Sequence, residues 1–144
     1  MERTEAAVKR FGEGYSCSQA VFCAFADKFD LEEETARKIA AGFGGGMGMG
    51  ETCGAVTGAF MALGLLFDPA VPEIKEKMHE LTRAFAARFT EESNALTCRD
   101  IMGCDLTTPE GKNYALQNNL RTTICAQQVR LAVSLTQEFL GIAD

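Results

Sequence analysis

The chain has 144 residues, which is long enough for one compact domain, residues 1–144, with a substantial core. Hydrophobic residues make up 47% and charged residues 24%, a composition that excludes collagen-like, low-complexity and disordered classes. The net charge is −6 and no basic run is present, so nucleic acid and anionic membrane surfaces are poor candidate partners. Six cysteines, against one histidine and no tryptophan, are the unusual feature of the composition.

The N-terminal residues bear on how these cysteines are interpreted. Charged side chains stand at Glu2, Arg3 and Glu5, where a signal peptide would need an apolar stretch, so we expect a cytoplasmic protein. Disulfides that staple a fold are uncommon in the reducing cytoplasm, where cysteines more often bind metal, carry out redox chemistry or fill the core.

The hydrophobic pattern in the first third of the chain is helical. It predicts helices over residues 1–11, 16–29 and 32–41, with Ser16 as the N-cap of the second. Residues 42–50 contain six glycines, which are too costly in backbone entropy for a helix interior. We therefore expect a glycine-rich loop there.

The next segment, residues 52–67, carries no charge. It is shorter than the roughly 20 residues that a membrane-spanning helix needs. Gly54 and Gly58 have the spacing that lets two helices approach closely. The segment is therefore interpreted as a buried central helix without membrane insertion. The same glycines also fit a contact between two copies of the chain, so a homodimer stays open.

The C-terminal half continues the helical pattern. It predicts a helix after Pro72, a short helical piece over residues 95–102, and a last segment from Thr108 to about Leu140 with a break at 118–119. No run alternates between apolar and polar residues as strands do. The sequence thus predicts an all-α, single-domain helical bundle in which the glycine-rich loop leads into a buried apolar helix.

None of the cysteines is paired in a Cys-x-x-Cys motif, so any shared site must be assembled from distant helices. Cys17 and Cys53 fall at predicted helix starts. Backbone N–H groups and the positive end of the helix dipole would lower the pKa of a thiol there. The alternative interpretation is that Cys17 or Cys53 has no reactive role and packs in the core as a small hydrophobic side chain.

The other four cysteines have less distinctive settings. Cys98 precedes Arg99, which could supply positive charge, and Cys125 lies mid-helix on an inward face. Cys23 is interpreted as packing. Cys104 either approaches Cys98 or lies at the surface.

Several segments together resemble a known family. They are Tyr15-Ser16-Cys17, the glycine run over residues 42–48, Cys53-Gly54-Ala55-Val56-Thr57-Gly58, and two later cysteines. In this combination the chain resembles the small redox-active proteins labelled C_GCAxxG_C_C, although that label writes glycine before cysteine. The resemblance covers nearly the whole chain and implies a redox class without a substrate. Carried over by position, it implies a site of four residues: Cys17, Cys53, Cys98 and Cys125.

Three hypotheses follow. The first is a thiol-based redox protein, an oxidoreductase if it is an enzyme, that acts on a redox partner or small molecule. Cys53 would be the reactive thiolate and Cys17 would resolve it to a disulfide. The second is a metal or iron–sulfur protein that uses the same four cysteines, or Cys104 in place of Cys98. Its cofactor would be a cluster or zinc, whereas the first hypothesis needs none. The third is a non-catalytic helical binding or assembly module whose cysteines fill the core.

Overall fold

Eight α-helices form the main structure of the chain, which the computed structural model describes over residues 2–143. They are α1 (Arg3–Gly12), α2 (Cys17–Cys23), α3 (Glu33–Ile39), α4 (Gly54–Gly64), α5 (Ile74–Ser93), α6 (Cys98–Met102), α7 (Pro109–Gln117) and α8 (Ala126–Leu140). The protein is 73% helical and has no strand in the described range, which confirms the predicted all-α class.

Side-chain caps begin three of these helices. Ser16 caps α2 as predicted: its Oγ accepts from the Gln19 N–H, and the Gln19 Oε1 accepts from the Ser16 N–H at 2.9 Å. Thr97 caps α6 and Thr108 caps α7 through their hydroxyl oxygens. Each cap satisfies a helix-end N–H group that otherwise has no partner, so these three starts are defined locally.

Two predicted helices are interrupted. The helix predicted to reach Phe29 ends at Cys23, and a 3₁₀ turn follows at Ala26–Phe29. That turn stops at Asp30, whose φ of 53° is left-handed. The last segment breaks at Asn119, with a φ of 52°, close to where a break was expected. A π-helical turn, Arg121–Cys125, then leads into α8.

The glycine segment folds as two short irregular turns. A 3₁₀ turn covers Ala41–Phe43, and a wider turn over Gly46–Gly50 is closed by the Glu51 N–H, which donates to the Gly46 carbonyl oxygen at 3.1 Å. Gly46 has a φ of +63°, and a Cβ atom there would lie 2.4 Å from the Glu51 nitrogen. Glycine is therefore required at position 46 by both conformation and space.

Helix α4 is the central helix and packs against α2, α5 and α8. Seven of its residues are buried: Gly54, Ala55, Val56, Gly58, Ala59, Ala62 and Leu63. A Cβ atom at position 58 would lie 2.6 Å from the Ser18 carbonyl oxygen, so the backbones of α2 and α4 are in contact. The predicted role of these glycines in close helix packing is confirmed. No helix within residues 2–143 combines the length and the apolar character needed to cross a membrane.

Candidate functional site

Four cysteines line one cavity of about 260 Å³: Cys17, Cys53, Cys98 and Cys125. Cys17 is the first residue of α2, Cys53 directly precedes α4, Cys98 begins α6 and Cys125 directly precedes α8. The rest of the wall is mostly apolar, with Phe11, Ile101, Met102, Leu106, Ala115 and Leu116 among its residues. The fold therefore brings the four thiols that the family resemblance implied to one apolar space.

Backbone hydrogen bonds hold the Cys53 and Cys98 segments side by side. The Cys53 N–H donates to the Leu96 carbonyl oxygen at 2.9 Å, and the Cys98 N–H donates to the Glu51 carbonyl oxygen at 2.7 Å. These two bonds form an antiparallel bridge. The bridge fixes where both thiols enter the cavity, because each cysteine contributes its own backbone N–H.

Gly54 controls how closely the start of α2 approaches Cys53. A Cβ atom at position 54 would lie 3.2 Å from Cys17 Cβ and 3.1 Å from both the Ser18 nitrogen and the Phe43 carbonyl oxygen. These distances are tighter than most contacts of real Cβ atoms. Glycine next to Cys53 therefore lets the first turn of α2 bring Cys17 to the same cavity.

Cys17 and Cys125 are joined by a hydrogen bond between their thiols. Cys17 is the donor, and this bond, together with burial, places the pKa of Cys17 well above its ordinary value. The pKa of Cys125 is lowered, first because it accepts this bond, and further by the Arg121 guanidinium; burial opposes both effects. Cys125 is thus the thiol in this pair that the site favours as a thiolate.

Arg121 is held in place by the end of α1. Its Nη2 donates to the Phe11 carbonyl oxygen at 2.7 Å and to the Tyr15 carbonyl oxygen at 2.9 Å. Its guanidinium carbon lies 3.8 Å from the centre of the Phe11 ring. These contacts fix a positive charge on the cavity wall that also carries Cys125, and charge placed there favours the thiolate.

The prediction that Cys17 and Cys53 have lowered pKa values is wrong. Burial raises the pKa of Cys53 to about 12, although the N–H groups of Ala55 and Val56 act in the opposite direction. Cys53 is only 5% exposed, so its thiolate would lose nearly all of its hydration. A helix terminus stabilises a nearby negative charge by about 0.3–1 kcal/mol, which is too little to compensate for that loss. Cys125, which the sequence placed mid-helix, is the residue whose lowered pKa was missed.

Cys98 is also held protonated. Burial raises its pKa to about 11, and its thiol donates to Met102 Sδ at 3.6 Å. The Arg99 guanidinium, which was expected to supply positive charge to Cys98, instead forms an ion pair with Glu51 at 3.5 Å. Cys98 and Cys53 therefore form the protonated side of the cavity.

The remaining two cysteines lie outside the cavity wall as it is formed by residues 2–143. Cys23 is 2% exposed within the core, and its Sγ contacts the Glu33 carbonyl oxygen at 3.7 Å, in agreement with a packing role. Cys104 is half-buried and packs against the small cluster that contains Cys98 and Leu120. The structure thus places Cys98, and not Cys104, at the cavity.

The donor set has the chemistry of a soft-metal site, since four thiolates suit zinc or iron–sulfur clusters. The geometry does not match it: within the described residues, no group of three or more His, Cys, Asp or Glu side chains is arranged to hold a metal ion. His79 is exposed on α5. We therefore derive no chemistry through a metal.

The free energy of unfolding is expected to fall as the pH rises from about 9 to about 11. Folded Cys53 keeps its proton up to a pKa of about 12, against an ordinary value of 9.0. Its stabilising contribution is complete below pH 9 and is lost towards pH 12, by about 1.4 kcal/mol per pH unit. Urea titrations at several pH values measure the slope. Cys53→Ala should remove the part of the pH dependence that arises from the raised pKa of Cys53. If the free energy of unfolding of the variant falls with pH as steeply as that of the parent, the raised pKa of Cys53 is contradicted.

Comparison with known proteins yields one informative match. No curated protein and no solved structure matches the chain. The model of a family described as "Putative redox-active protein (C_GCAxxG_C_C)" matches residues 15–139. This range runs from just before α2 almost to the end of α8 and contains all four cavity cysteines together with the glycine segment. The chain belongs to the C_GCAxxG_C_C family.

Proposed function

We propose that this protein is a cytoplasmic thiol–disulfide redox protein in which Cys125 is the attacking thiolate and Cys17 the resolving thiol. The observation that carries the proposal is the position of Cys17 and Cys125 on the wall of one cavity, where the interaction between their thiols lowers the pKa of Cys125. This interaction biases one of the two sulfur atoms towards the reactive thiolate. This assignment replaces Cys53 as the nucleophile, because burial keeps Cys53 protonated.

The proposed reaction with a disulfide oxidant has two steps. The Cys125 thiolate attacks one sulfur, forms a mixed disulfide and expels the first thiolate of the oxidant. Cys17 then loses its proton, attacks Cys125 Sγ and expels the second thiolate, which leaves a Cys17–Cys125 disulfide. Two electrons pass from the protein to the oxidant, and an external dithiol reverses the sequence.

The coupling between the two thiols assists the second step. The main cause of the raised pKa of Cys17 is its hydrogen bond to Cys125. Once Cys125 is in a mixed disulfide it carries no negative charge, and Cys17 no longer has a thiolate to hold its proton. Its pKa then falls, so that Cys17 becomes nucleophilic only after Cys125 has reacted.

Cys53 and Cys98 belong to the same proposed site as a second, protonated pair. The backbone bridge holds them together, and they border the cavity that contains the reactive pair. Both keep their protons at neutral pH, so the first disulfide does not involve them. Their convergence with Cys17 and Cys125 argues against the non-catalytic module, which predicts scattered cysteines.

Disulfide mapping after equilibration in dithiothreitol redox buffers tests this proposal. We expect oxidation to remove two free thiols and to link the Cys17 and Cys125 peptides in mass spectrometry. Cys17→Ser and Cys125→Ser should each abolish this link, and Cys23→Ser, the matched control in the core, should retain it. A thiol count that does not change with the redox buffer would overturn the proposal. Stoichiometric metal or sulfide in protein purified without oxygen would favour the metal hypothesis instead.

A further inference from the structure

We propose that the cavity takes small organic disulfides that carry a carboxylate, and that the Arg121 guanidinium binds this carboxylate. This inference rests on the proposed thiol–disulfide function and names the class of its low-molecular-weight oxidant. Arg121 lines the cavity together with Cys17 and Cys125. It is the only charged residue of the cavity wall that residues 2–143 form. A group that binds anions therefore borders the same space as the reactive pair.

The guanidinium of Arg121 has donors that the protein does not use. Both of its hydrogen bonds, to the Phe11 and Tyr15 carbonyl oxygens, are donated by Nη2. Among the described residues, Nε and Nη1 have no acceptor and no carboxylate forms an ion pair with this side chain. The residue is also exposed, so a ligand can reach it. A carboxylate that accepts from Nε or Nη1 gains a charge-assisted hydrogen bond.

Five other arginines differ from Arg121 in this respect, because each is held in an ion pair. The pairs are Arg3–Asp27, Arg10–Glu33, Arg88–Glu138, Arg99–Glu51 and Arg130–Glu5. The net charge of −6 does not attract anions to the chain in general, so an anion that binds needs a local positive charge. Arg121 supplies one in the cavity wall without an acidic neighbour to neutralise it.

One turn of backbone connects Arg121 to the reactive thiol. Arg121 and Cys125 are the first and last residues of the π-helical turn, which the Ala126 N–H closes by donating to the Arg121 carbonyl oxygen. Since such a turn closes between residues i and i+5, its first and last residues lie on nearly the same side. Both line the cavity. A disulfide whose carboxylate is bound by Arg121 therefore has its sulfur atoms in the space that Cys125 borders.

The rest of the cavity sets the size and polarity of the organic group. Phe11, Ile101, Leu106 and Leu116 line it with apolar surface, and Leu116 is 77% exposed, so the cavity opens to solvent. A volume of about 260 Å³ exceeds the roughly 150 Å³ of an apolar cavity that takes up benzene, and is below the roughly 300 Å³ at which pockets for drug-sized ligands begin. One aromatic or branched half of a disulfide fits inside, and the other half extends into solvent.

The reaction balances with the residues present. The Cys125 thiolate attacks the sulfur of the half bound in the cavity, the S–S bond of the ligand breaks, and the outer half leaves as a thiolate. Cys17 then loses its proton to solvent and attacks Cys125 Sγ, and the bound half leaves as a second thiolate. The ligand takes up two electrons and becomes two thiolates, while the Cys125 thiolate and the Cys17 thiol become one disulfide. An external dithiol restores them.

Oxidation of the pre-reduced protein by two matched disulfides tests the inference. Dithiobisbenzoate carries a carboxylate on each ring, and dithiobisbenzamide is its neutral counterpart of nearly the same size. The rate of Cys17–Cys125 disulfide formation with each compound is divided by the rate at which mercaptoethanol reduces that compound, which removes differences in intrinsic reactivity. We expect this normalised rate to be at least about tenfold higher for the benzoate, the effect of one hydrogen bond to a charged group.

Arg121→Gln should lower the ratio of the two normalised rates to about one. Loss of the charge near Cys125 should slow both compounds, so only the ratio reports on the carboxylate. Arg83→Gln, which removes an exposed charge on α5, should leave the ratio unchanged. Sodium chloride gives a second measurement on the parent protein, because added salt weakens the pairing of exposed charges and should lower the ratio.

Equilibration in dithiothreitol redox buffer separates this inference from the function beneath it. Dithiothreitol has no carboxylate, so the parent protein should form the Cys17–Cys125 disulfide there whether or not Arg121 binds anions. If the disulfide forms in the buffer but the two normalised rates are equal in the parent, or Arg121→Gln keeps the parent's ratio, the carboxylate inference is overturned and the thiol–disulfide function stands. If the parent protein forms no disulfide in the buffer, the proposed function itself fails.

Discussion

Serine at position 125 is expected to slow the first alkylation of the reduced protein at pH 7 by at least about 100-fold. Alkylation follows the thiolate fraction, which is a few per cent for an ordinary cysteine. Cys53 and Cys98, with pKa values of about 12 and 11, have thiolate fractions of about 10⁻⁵ and 10⁻⁴ at this pH. Loss of Cys125 leaves these two thiols almost fully protonated, and burial still holds the pKa of Cys17 above its ordinary value after its hydrogen bond to Cys125 is removed.

The measurement is the iodoacetamide rate as a function of pH, with the modified peptide identified by mass spectrometry. Every protein in this comparison should also carry Cys104→Ser, because Cys104 is partly exposed and would react with iodoacetamide independently of the cavity. Cys17→Ala, which removes the hydrogen-bond donor, should raise the pKa of Cys125 and slow its alkylation less than Cys125→Ser does. If Cys53 is the residue modified first in the parent, the helix-start argument identifies the nucleophile and our assignment is wrong.

Alanine at position 58 is expected to lower the free energy of unfolding by about 2–3 kcal/mol. The added Cβ would lie 2.6 Å from the Ser18 carbonyl oxygen and 3.1 Å from Ser18 Cα. Both are backbone atoms that cannot rotate away, so α2 and α4 must separate, and overpacking of this kind costs about 1–3 kcal/mol or more. Thermal and urea unfolding measure the loss, which corresponds to a Tm lower by about 5–10 °C.

Gly64→Ala is the matched control on the same helix. No atom lies within 4 Å of the position that a Cβ would take there, so alanine should leave stability unchanged or raise it by up to about 1 kcal/mol. Because Ser18 follows Cys17, separation of the helices should also slow Cys17–Cys125 disulfide formation in Gly58→Ala. Equal stability of the two variants would contradict the close contact between α2 and α4.

The sequence predicted those parts of the fold that depend on neighbouring residues. Ser16 caps α2 as expected, because a hydroxyl one position before a helix can satisfy its free N–H groups regardless of the surrounding fold. The interruption near residues 118–119 was also predicted. The end of α2 at Cys23 was not, because residues 26–29 have no strong helix breaker and the tightening into a 3₁₀ turn arises in the folded core.

The site was only partly predictable for the same reason. Two helix-start cysteines were visible in the sequence, and the dipole argument for a lowered pKa is sound for a solvated thiol. Cys53 is buried, however, and desolvation reverses the direction of its shift. Cys125 has one local signal, Arg121 four residues before it, but its main partner, the Cys17 thiol, comes from α2, and contacts with the end of α1 position the Arg121 guanidinium.

The amino-acid sequence by itself determined the all-α class, most helix starts, and the need for glycine on one face of the central helix. These features follow from periodicity, capping and the absence of a side chain, which act over a few residues. The tertiary structure decided which of the six cysteines share a cavity and which of them favours the thiolate. A pKa depends on burial and on hydrogen-bond partners, and both exist only once distant helices have packed together.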